Sequence, residues 1–361
     1  MDNNKSTLKI LHISDLHRGQ DRSEIRWGNV REDVHRDIER HANTYGLIDL
    51  VVFSGDITYR GEKTEFDSVL HELQRLWEIF RQNSMNPRLV VVPGNHDLER
   101  PPAHDPLVAF ASLMRTRTSV KDELFRNKNS GWYLTLSKAF SNYLAFLDDL
   151  RSSQIDLLMD VEGWLPGDFS GRFEINGLKV GVVGLNSAWT HLEGGDLSGK
   201  LDIYPEQLGA VVGGDLPSWS KNNNVSIVVT HHPVDWFNDE AQRDFNGEIY
   251  REGIFDAHLY GHMHESKPVN INIGAHNRKN LQAPSLYGLE KYRGEMTRHH
   301  GYSFVEFNAE KSVLEFWPRV FREKRAGGIQ VVADSDILDG DDKSFVWPWK
   351  VTDRAGVLGK K

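Results

Sequence analysis

Five short blocks in this 361-residue sequence concentrate side chains that can bind a metal ion or carry a proton. They are Asp15-Leu16-His17, Gly55-Asp56, Gly94-Asn95-His96-Asp97, His231-His232-Pro233 and Gly261-His262-Met263-His264. Imidazole nitrogen suits zinc, iron and manganese, and carboxylate and amide oxygens suit harder ions. A carboxylate can also bridge two ions, because it has two oxygens. Aspartate, asparagine and histidine in this combination therefore point to a pair of divalent metals. Glycine beside Asp56 and Asn95 lets the backbone turn sharply and approach a ligand closely. Asp15 and His17, like His262 and His264, stand two residues apart at the end of an extended run, so both members of each pair can face one side. Each block alone is a common turn or surface pair; five together, each behind a strand-like run, indicate one site.

The elements that must position these blocks are legible from hydrophobic period. Lys9–Ile13, Ile48–Phe53, Arg88–Val92, Val225–Val229 and Ala257–Tyr260 read as strands. Val30, Val34, Ile38 and Ala42 form one helical stripe, and Phe66, Val69, Leu70, Leu73, Leu76, Trp77 and Phe80 form another. Alternating strands and helices are the grammar of an α/β domain, whose strands deliver their carboxyl ends to the ligand crevice. Residues 100–160 break this rhythm after Pro101-Pro102 and read as a helix-rich insertion. Phe173–Ile175 and Leu178–Val183, split by Asn176-Gly177, read as a hairpin. Gly301–Phe307 and Ser312–Trp317 read as closing strands. The expected organisation is a catalytic domain over 1–317, with 100–160 as its cap, and an extension over 318–361 that ends in an acidic tail.

Composition narrows the class. No Cys is present, which excludes disulfides, thiolate catalysis and Cys-ligated zinc or iron–sulfur sites. No apolar run is long enough to span a bilayer, and Met1–Leu11 has no signal-peptide pattern, so a cytoplasmic protein without a membrane partner is expected. With 43 Lys+Arg against 52 Asp+Glu, the formal net charge of −9 argues against a chain that coats nucleic acid.

In this order, the five blocks resemble the motif series of the calcineurin-like metallophosphoesterase superfamily: Asp-x-His, Gly-Asp, Gly-Asn-His-Asp/Glu, a His at a strand end, and Gly-His-x-His. The resemblance covers about residues 8–307. It implies a four-layer αββα sandwich of two mixed β-sheets flanked by helices, with the helical insertion following the third motif. It also implies two divalent ions, Mn, Fe or Zn. Asp15, His17 and His264 would hold one ion, Asn95, His231 and His262 the other, and Asp56 would bridge them. His231 is preferred to His232, because the family ligand usually lies two residues before the proline. A hydroxide between the ions would attack phosphorus, and His96 would protonate the leaving group, with Asp97 orienting the imidazole.

Substrate choice must come from outside the core. Segment 100–140 has seven basic residues against three acidic, and segment 276–300 five against two. These read either as phosphate-steering arms or as solvated faces. Arg18, Arg60 and His232 are candidate substrate contacts, with an exposed surface arginine as the alternative for the first two. Phe125, Trp132, Tyr133 and Phe140 read as core packing in preference to base stacking. Trp189, His191 and Trp236 border the site with no chemistry assigned. The phrases around the motifs resemble bacterial cyclic-nucleotide-phosphodiesterase-like members and the metallophosphoesterase domains of bacterial conflict systems. The leading expectation is a phosphodiesterase for a nucleotide or related small phosphodiester. The alternatives are an SbcD-like nuclease acting on nucleic acid, a conflict-system component working with a partner ATPase or as a homo-oligomer, a protein phosphatase, and an inactive metal-binding scaffold.

Overall fold

The computed structural model describes residues 6–21, 23–102, 104–105, 108–109, 111, 118–251, 253–273, 276–286, 290–292, 295–297, 300–324 and 328–351. In chain order, the first elements are β1 (Thr7–Ile13), α1 (Ser23–Tyr45), β2 (Leu50–Phe53), α2 (Lys63–Gln82) and β3 (Arg88–Val91). Helices α3 (Thr118–Leu124), α4 (Gly131–Ala139) and α5 (Ser141–Arg151) follow. Next come β4 (Val161–Glu162), β5 (Phe169–Ile175), β6 (Leu178–Gly184), α6 (Pro205–Val211), α7 (Leu216–Lys221), β7 (Val225–Val229), α8 (Asp239–Asp244) and β8 (Ala257–Tyr260). The remaining strands are β9 (Lys267–Ile273), β10 (His276–Gln282), β11 (Glu290–Tyr292), β12 (Glu295–Thr297), β13 (Gly301–Asn308), β14 (Val313–Glu323), β15 (Ile329–Ala333) and β16 (Phe345–Pro348).

Residue parity along the strands decides the layering. In β1, Leu8 and Ile10 enter one buried cluster while Leu11 and Ile13 enter another, and β2 divides Leu50 and Val52 from Val51 and Phe53 in the same way. These strands are apolar on both faces because both faces are covered. The middle cluster joins them to Val180 and Val182 of β6 and Ile227 and Val229 of β7. A third cluster takes Val183 and Val228 from the opposite face of that second sheet and packs them against Leu208, Val211 and Trp219 of the helices beyond. Three apolar interfaces separate four layers, αββα.

Both large sheets have seven strands. The first runs β15-β14-β13-β1-β2-β3, with β16 on β14, and the second runs β4-β5-β6-β7-β8-β10-β9. Each is mixed: β1, β2 and β3 are parallel and β13 antiparallel to β1, while β6, β7 and β8 are parallel and β5 antiparallel to β6. Among the described residues, no helix is long and apolar enough to cross a membrane.

Two expectations about organisation change. The boundary at 317/318 falls inside β14, and β15 and β16 complete the first sheet. β16 pairs with residues 313–316 and β15 with 319–323, and Pro318 lies between them, where its carbonyl accepts from Asp334 N at 3.1 Å. Trp349 then ties the tail to the second sheet, its Nε1 donating to Asp256 Oδ1 at 3.0 Å. Asp334 and Asp336 pair with Arg322, at 3.7 and 2.8 Å. The insertion is likewise no detached cap: Phe140, Tyr143, Phe146 and Leu150 share the apolar cluster of Phe66 and Val69, which places α5 in the outer helical layer.

Candidate metal centre

The five blocks meet at the carboxyl ends of the two sheets' parallel strands. The first two are zipped together beyond their strands by backbone bonds: Asp15 N–H to the Gly55 carbonyl (3.0 Å), His17 N–H to Asp56 (3.0 Å) and Tyr59 N–H to Arg18 (2.9 Å). Glu65 anchors the same turn to α2, accepting from Arg60 N at 2.8 Å and Glu62 N at 3.3 Å. Gly55 has φ +98°, and a Cβ there would lie 2.6 Å from His231 Nδ1. Among the described residues, eight non-glycines have positive φ, and five of them are Asp15, His17, Asp56, His262 and His264. Non-glycine residues adopt this region uncommonly, aspartate and histidine more readily than most, so five together mark a backbone held in place by the surrounding fold.

Two groups of ligand atoms result. In one, His264 Nε2 lies 3.0 Å from Asp15 Oδ1 and 3.2 Å from His17 Nε2. In the other, His231 Nε2 lies 3.2 Å from both Asn95 Oδ1 and His262 Nδ1. Asp56 stands between them: its Oδ2 is 3.3 Å from His231 Nε2, and it shares one potential cluster with His17 and another with Asp15 and His231. His231 Nδ1 donates to the Ser54 carbonyl at 2.8 Å, so in the neutral ring the Nε2 lone pair faces the group. His232 is otherwise engaged. It shares a potential cluster with His231 and His262, but its Nδ1 meets Ser187 Oγ at 3.0 Å and its Nε2 meets His191 Nδ1 at 3.2 Å, so an ion would have to displace one of these bonds. The geometry thus favours His231 over His232 as the ligand.

The electrostatics also suit cations. Burial would raise the Asp15 carboxyl, but His264 beside it more than reverses this and holds it low. Burial likewise opposes ionisation of Asp56, and His231 and His96 overcome it, leaving it well below the usual carboxylate value. Burial would lower His231, yet Asp56 pushes it up to about 9. A bound proton stands where two buried carboxylates demand positive charge, and an ion can take its place. Burial keeps His262 well below the ordinary imidazole value and takes His17 down to about 4, so these rings are neutral as metal ligands must be. A dinuclear centre fits this donor set.

His96 sits beside the first group, its ring 4.8 Å from His17 and stacked on Tyr59 at 5.4 Å. The expectation for Asp97 is corrected. Its carboxylate accepts from Thr58 N (2.8 Å), Thr58 Oγ1 (2.9 Å) and Gly94 N (2.8 Å), and the atom that holds the His96 ring is the Tyr59 carbonyl, 2.7 Å from Nδ1. Burial pushes Asp97 up to about 7, with Asp56 adding to the effect. It braces the two loops rather than the imidazole. Arg18 is also corrected: it is buried, and its Nε donates to Ser68 Oγ on α2 at 2.7 Å. Arg60 remains exposed, 5.8 Å above the Tyr59 ring.

The basic residues of the insertion are mostly engaged. Lys121 is buried and pairs with Asp202 at 2.8 Å, Arg126 with Asp122 at 3.7 Å, and Lys128 donates to the Gly163 carbonyl at 3.2 Å. In the second basic segment, Arg278 is bound to Asn246. Arg115, Arg117, Arg293 and Arg298 lie outside the described residues. Phe140 is buried, Phe125 packs near Trp189 and Tyr204, and Tyr133 near Trp164, as core packing requires, but Trp132 is exposed and the core reading is corrected there. Sequence reasoning passed over Ser54, Thr58 and Tyr59, which hold the ligand loops largely through backbone atoms and leave no signature in residue type.

Residues 8–266 match the family described as calcineurin-like phosphoesterase, so the chain belongs to that family. The match ends just past His264 and takes in all five blocks. Among solved structures, the chain is similar to a purple acid phosphatase from yellow lupin (Lupinus luteus) seeds, at 10% identity and a TM-score of 0.50, over 97% of this chain and 55% of that one. It thus spans about half the length of that enzyme. It is also similar to SoxB, a sulfate thiohydrolase of Thermus thermophilus, at 12% identity and a TM-score of 0.40, over 97% of this chain and 59% of that one. A third similar chain is Vps29 of Chaetomium thermophilum, at 9% identity and a TM-score of 0.35, over 95% of this chain and 98% of that one. No curated protein matches by sequence. The first of these likenesses is one of fold, and the five blocks lie within the matched family region.

Proposed function

We propose that this protein is a dinuclear-metal phosphodiesterase acting on a nucleotide or related small phosphodiester. The observation that carries the reading is the conjunction of two complete ligand groups with a fixed His96. When bound, the two ions supply Lewis acidity toward the phosphoryl oxygens and make a coordinated water acidic. Asp15, His17 and His264 would hold one, Asn95, His231 and His262 the other, and Asp56 both. His96 supplies the proton for the leaving oxygen. Its Nδ1–H donates to the Tyr59 carbonyl, which can only accept, so Nδ1 keeps its proton throughout and Nε2 carries the proton that moves. Thr58 Oγ1 lies 3.0 Å from the His96 carbonyl and 2.9 Å from Asp97 Oδ1, so its one hydrogen is shared between two acceptors on the loop that aims the ring. A small substrate is supported because Lys121 is buried against Asp202 and Lys128 is bonded to the Gly163 carbonyl, which takes two of the insertion's cations away from a groove for nucleic acid.

The test uses Mn²⁺-loaded protein with a chelator control on bis-p-nitrophenyl phosphate, p-nitrophenyl phosphate, cyclic nucleotides, and single- and double-stranded DNA. Chelator-sensitive diesterase activity that falls in His96→Ala is the expected result. Preferred cutting of DNA would replace the small-substrate reading with a nuclease. No turnover on any substrate, with two ions bound, would favour a scaffold.

A further inference from the structure

Two groups beside the centre have no role in the chemistry above. Arg100 immediately follows the third motif, and its Nη2 donates to the Asn95 carbonyl at 3.0 Å. Among the described residues no carboxylate pairs with it, unlike its neighbours in the insertion, and Asp56 acts electrostatically on it. A guanidinium has five N–H donors in a planar fork suited to phosphate, and one contact leaves most of them unused.

The second group is His191, which is 3% exposed. Its proton can be placed by counting hydrogen bonds. Ser187 Oγ accepts from His231 N at 3.2 Å and from His232 N at 3.0 Å, which fills both lone pairs. Its own hydrogen must therefore go to His232 Nδ1, 3.0 Å away. His232 then carries its proton on Nε2 and donates it to His191 Nδ1, at 3.2 Å. That leaves His191 with its proton on Nε2, an atom that bonds to no described residue and is not sealed from solvent. The ring lies 6.3 Å from His262 and 6.2 Å from Trp236, on the outer side of the Asn95–His231–His262 group. Arg100 is near enough for its charge to act on His191.

We propose that Arg100 and His191 form an anion subsite that holds an oxygen of the phosphoryl group under attack, a proposal that rests on the phosphoesterase reading above. Arg100 supplies a charged fork and His191 a neutral N–H donor. His191 is buried and held by His232, while Arg100 is exposed and held by one bond to the Asn95 carbonyl. Ser187 and His232 are positioning residues that set the His191 tautomer.

The probe is inorganic orthophosphate, titrated calorimetrically into zinc-loaded wild type, Arg100→Ala, His191→Leu and His191→Gln, with metal content measured on each sample. Arg100→Ala should bind orthophosphate about 10- to 100-fold more weakly, the range for a charged hydrogen bond. His191→Leu should lose about threefold to tenfold, and His191→Gln, which keeps an N–H, should recover part of that. Nitrogen-15 spectra of histidine in the wild type should place the His191 proton on Nε2. Wild-type phosphate affinity in both Arg100→Ala and His191→Leu would overturn the subsite, and a proton on His191 Nδ1 would overturn the relay. Failure of the underlying reading shows separately, as wild type that binds no zinc.

Discussion

Gly94→Ala tests how tightly the bridging residue is seated. A Cβ at position 94 would lie 2.1 Å from Asp56 Oδ1 and 2.4 Å from Asp56 N. Carbon and nitrogen pack at roughly 3.5 Å, so one of the two loops must retreat by about 1 Å. Asp56 cannot simply rotate away. Its Oδ1 accepts from His96 N at 2.8 Å, its Oδ2 lies 3.3 Å from His231 Nε2, and its backbone is already at φ 52°. Overpacking of this kind costs about 1–3 kcal/mol. Metal sites tolerate displacements of only about 0.2 Å, so the larger effect should fall on the ions. We expect divalent-ion affinity to drop at least 100-fold, roughly the upper end of what disturbing a ligand's support costs, while the metal-free protein melts only a few degrees lower. Gly131→Ala is the control. It lies in the first turn of α4 with nothing within 4 Å of a new Cβ, and should keep or raise the melting temperature. Competitive titration with a fluorescent chelator measures the affinity. A Gly94→Ala protein that binds two ions as tightly as wild type would refute the packing argument.

Three further predictions follow from other contacts. His96→Ala should lower kcat by about 10²–10⁴ with metal content unchanged, and equal turnover would remove its role as acid. His231, raised to about 9, binds its proton in the metal-free folded chain. Its pairing with Asp56 stabilises that state fully below the ordinary imidazole value and is lost as pH rises through about 9. An ion must displace the same proton, so apparent metal affinity should rise between pH 6.5 and 8.5, by up to about tenfold per pH unit, and a flat profile would contradict the ligand assignment. Arg319→Ala should destabilise by about 3–5 kcal/mol in urea unfolding, because it leaves buried Asp37, which also accepts from Tyr302 Oη at 2.7 Å, with only the exposed Arg40 at 3.9 Å as a cation. A loss under about 1 kcal/mol would show that water replaces the guanidinium there.

What could be read from the sequence was what depends on residue type and period. The Ile48–Phe53 and Val225–Val229 runs carry buried strands, and the five blocks carry the resemblance that implies the sandwich and the ligand groups. What could not be read depends on backbone atoms or on distant partners. Asp97 follows His96 in sequence, yet its carboxylate serves Thr58 and Gly94 N–H groups while a carbonyl orients the imidazole. Arg18 follows a ligand and turns away to α2, a choice made by Ser68, fifty residues on. The strand read over Ser312–Trp317 stops before Pro318, whereas β14 runs on to Glu323 because β13 and then β15, both distant in sequence, pair with it. His191 carries no motif at all, and its donor nitrogen emerges from counting the bonds of Ser187.

The most direct measurement is anomalous diffraction from crystals of this protein grown with Mn²⁺. Two anomalous peaks are expected about 3.5–4 Å apart, the usual spacing of a two-metal site. One should be bounded by Asp15, His17 and His264, the other by Asn95, His231 and His262, with Asp56 touching both. A single peak, a peak on His232 in place of His231, or no peak between these groups would contradict the dinuclear centre on which the account stands.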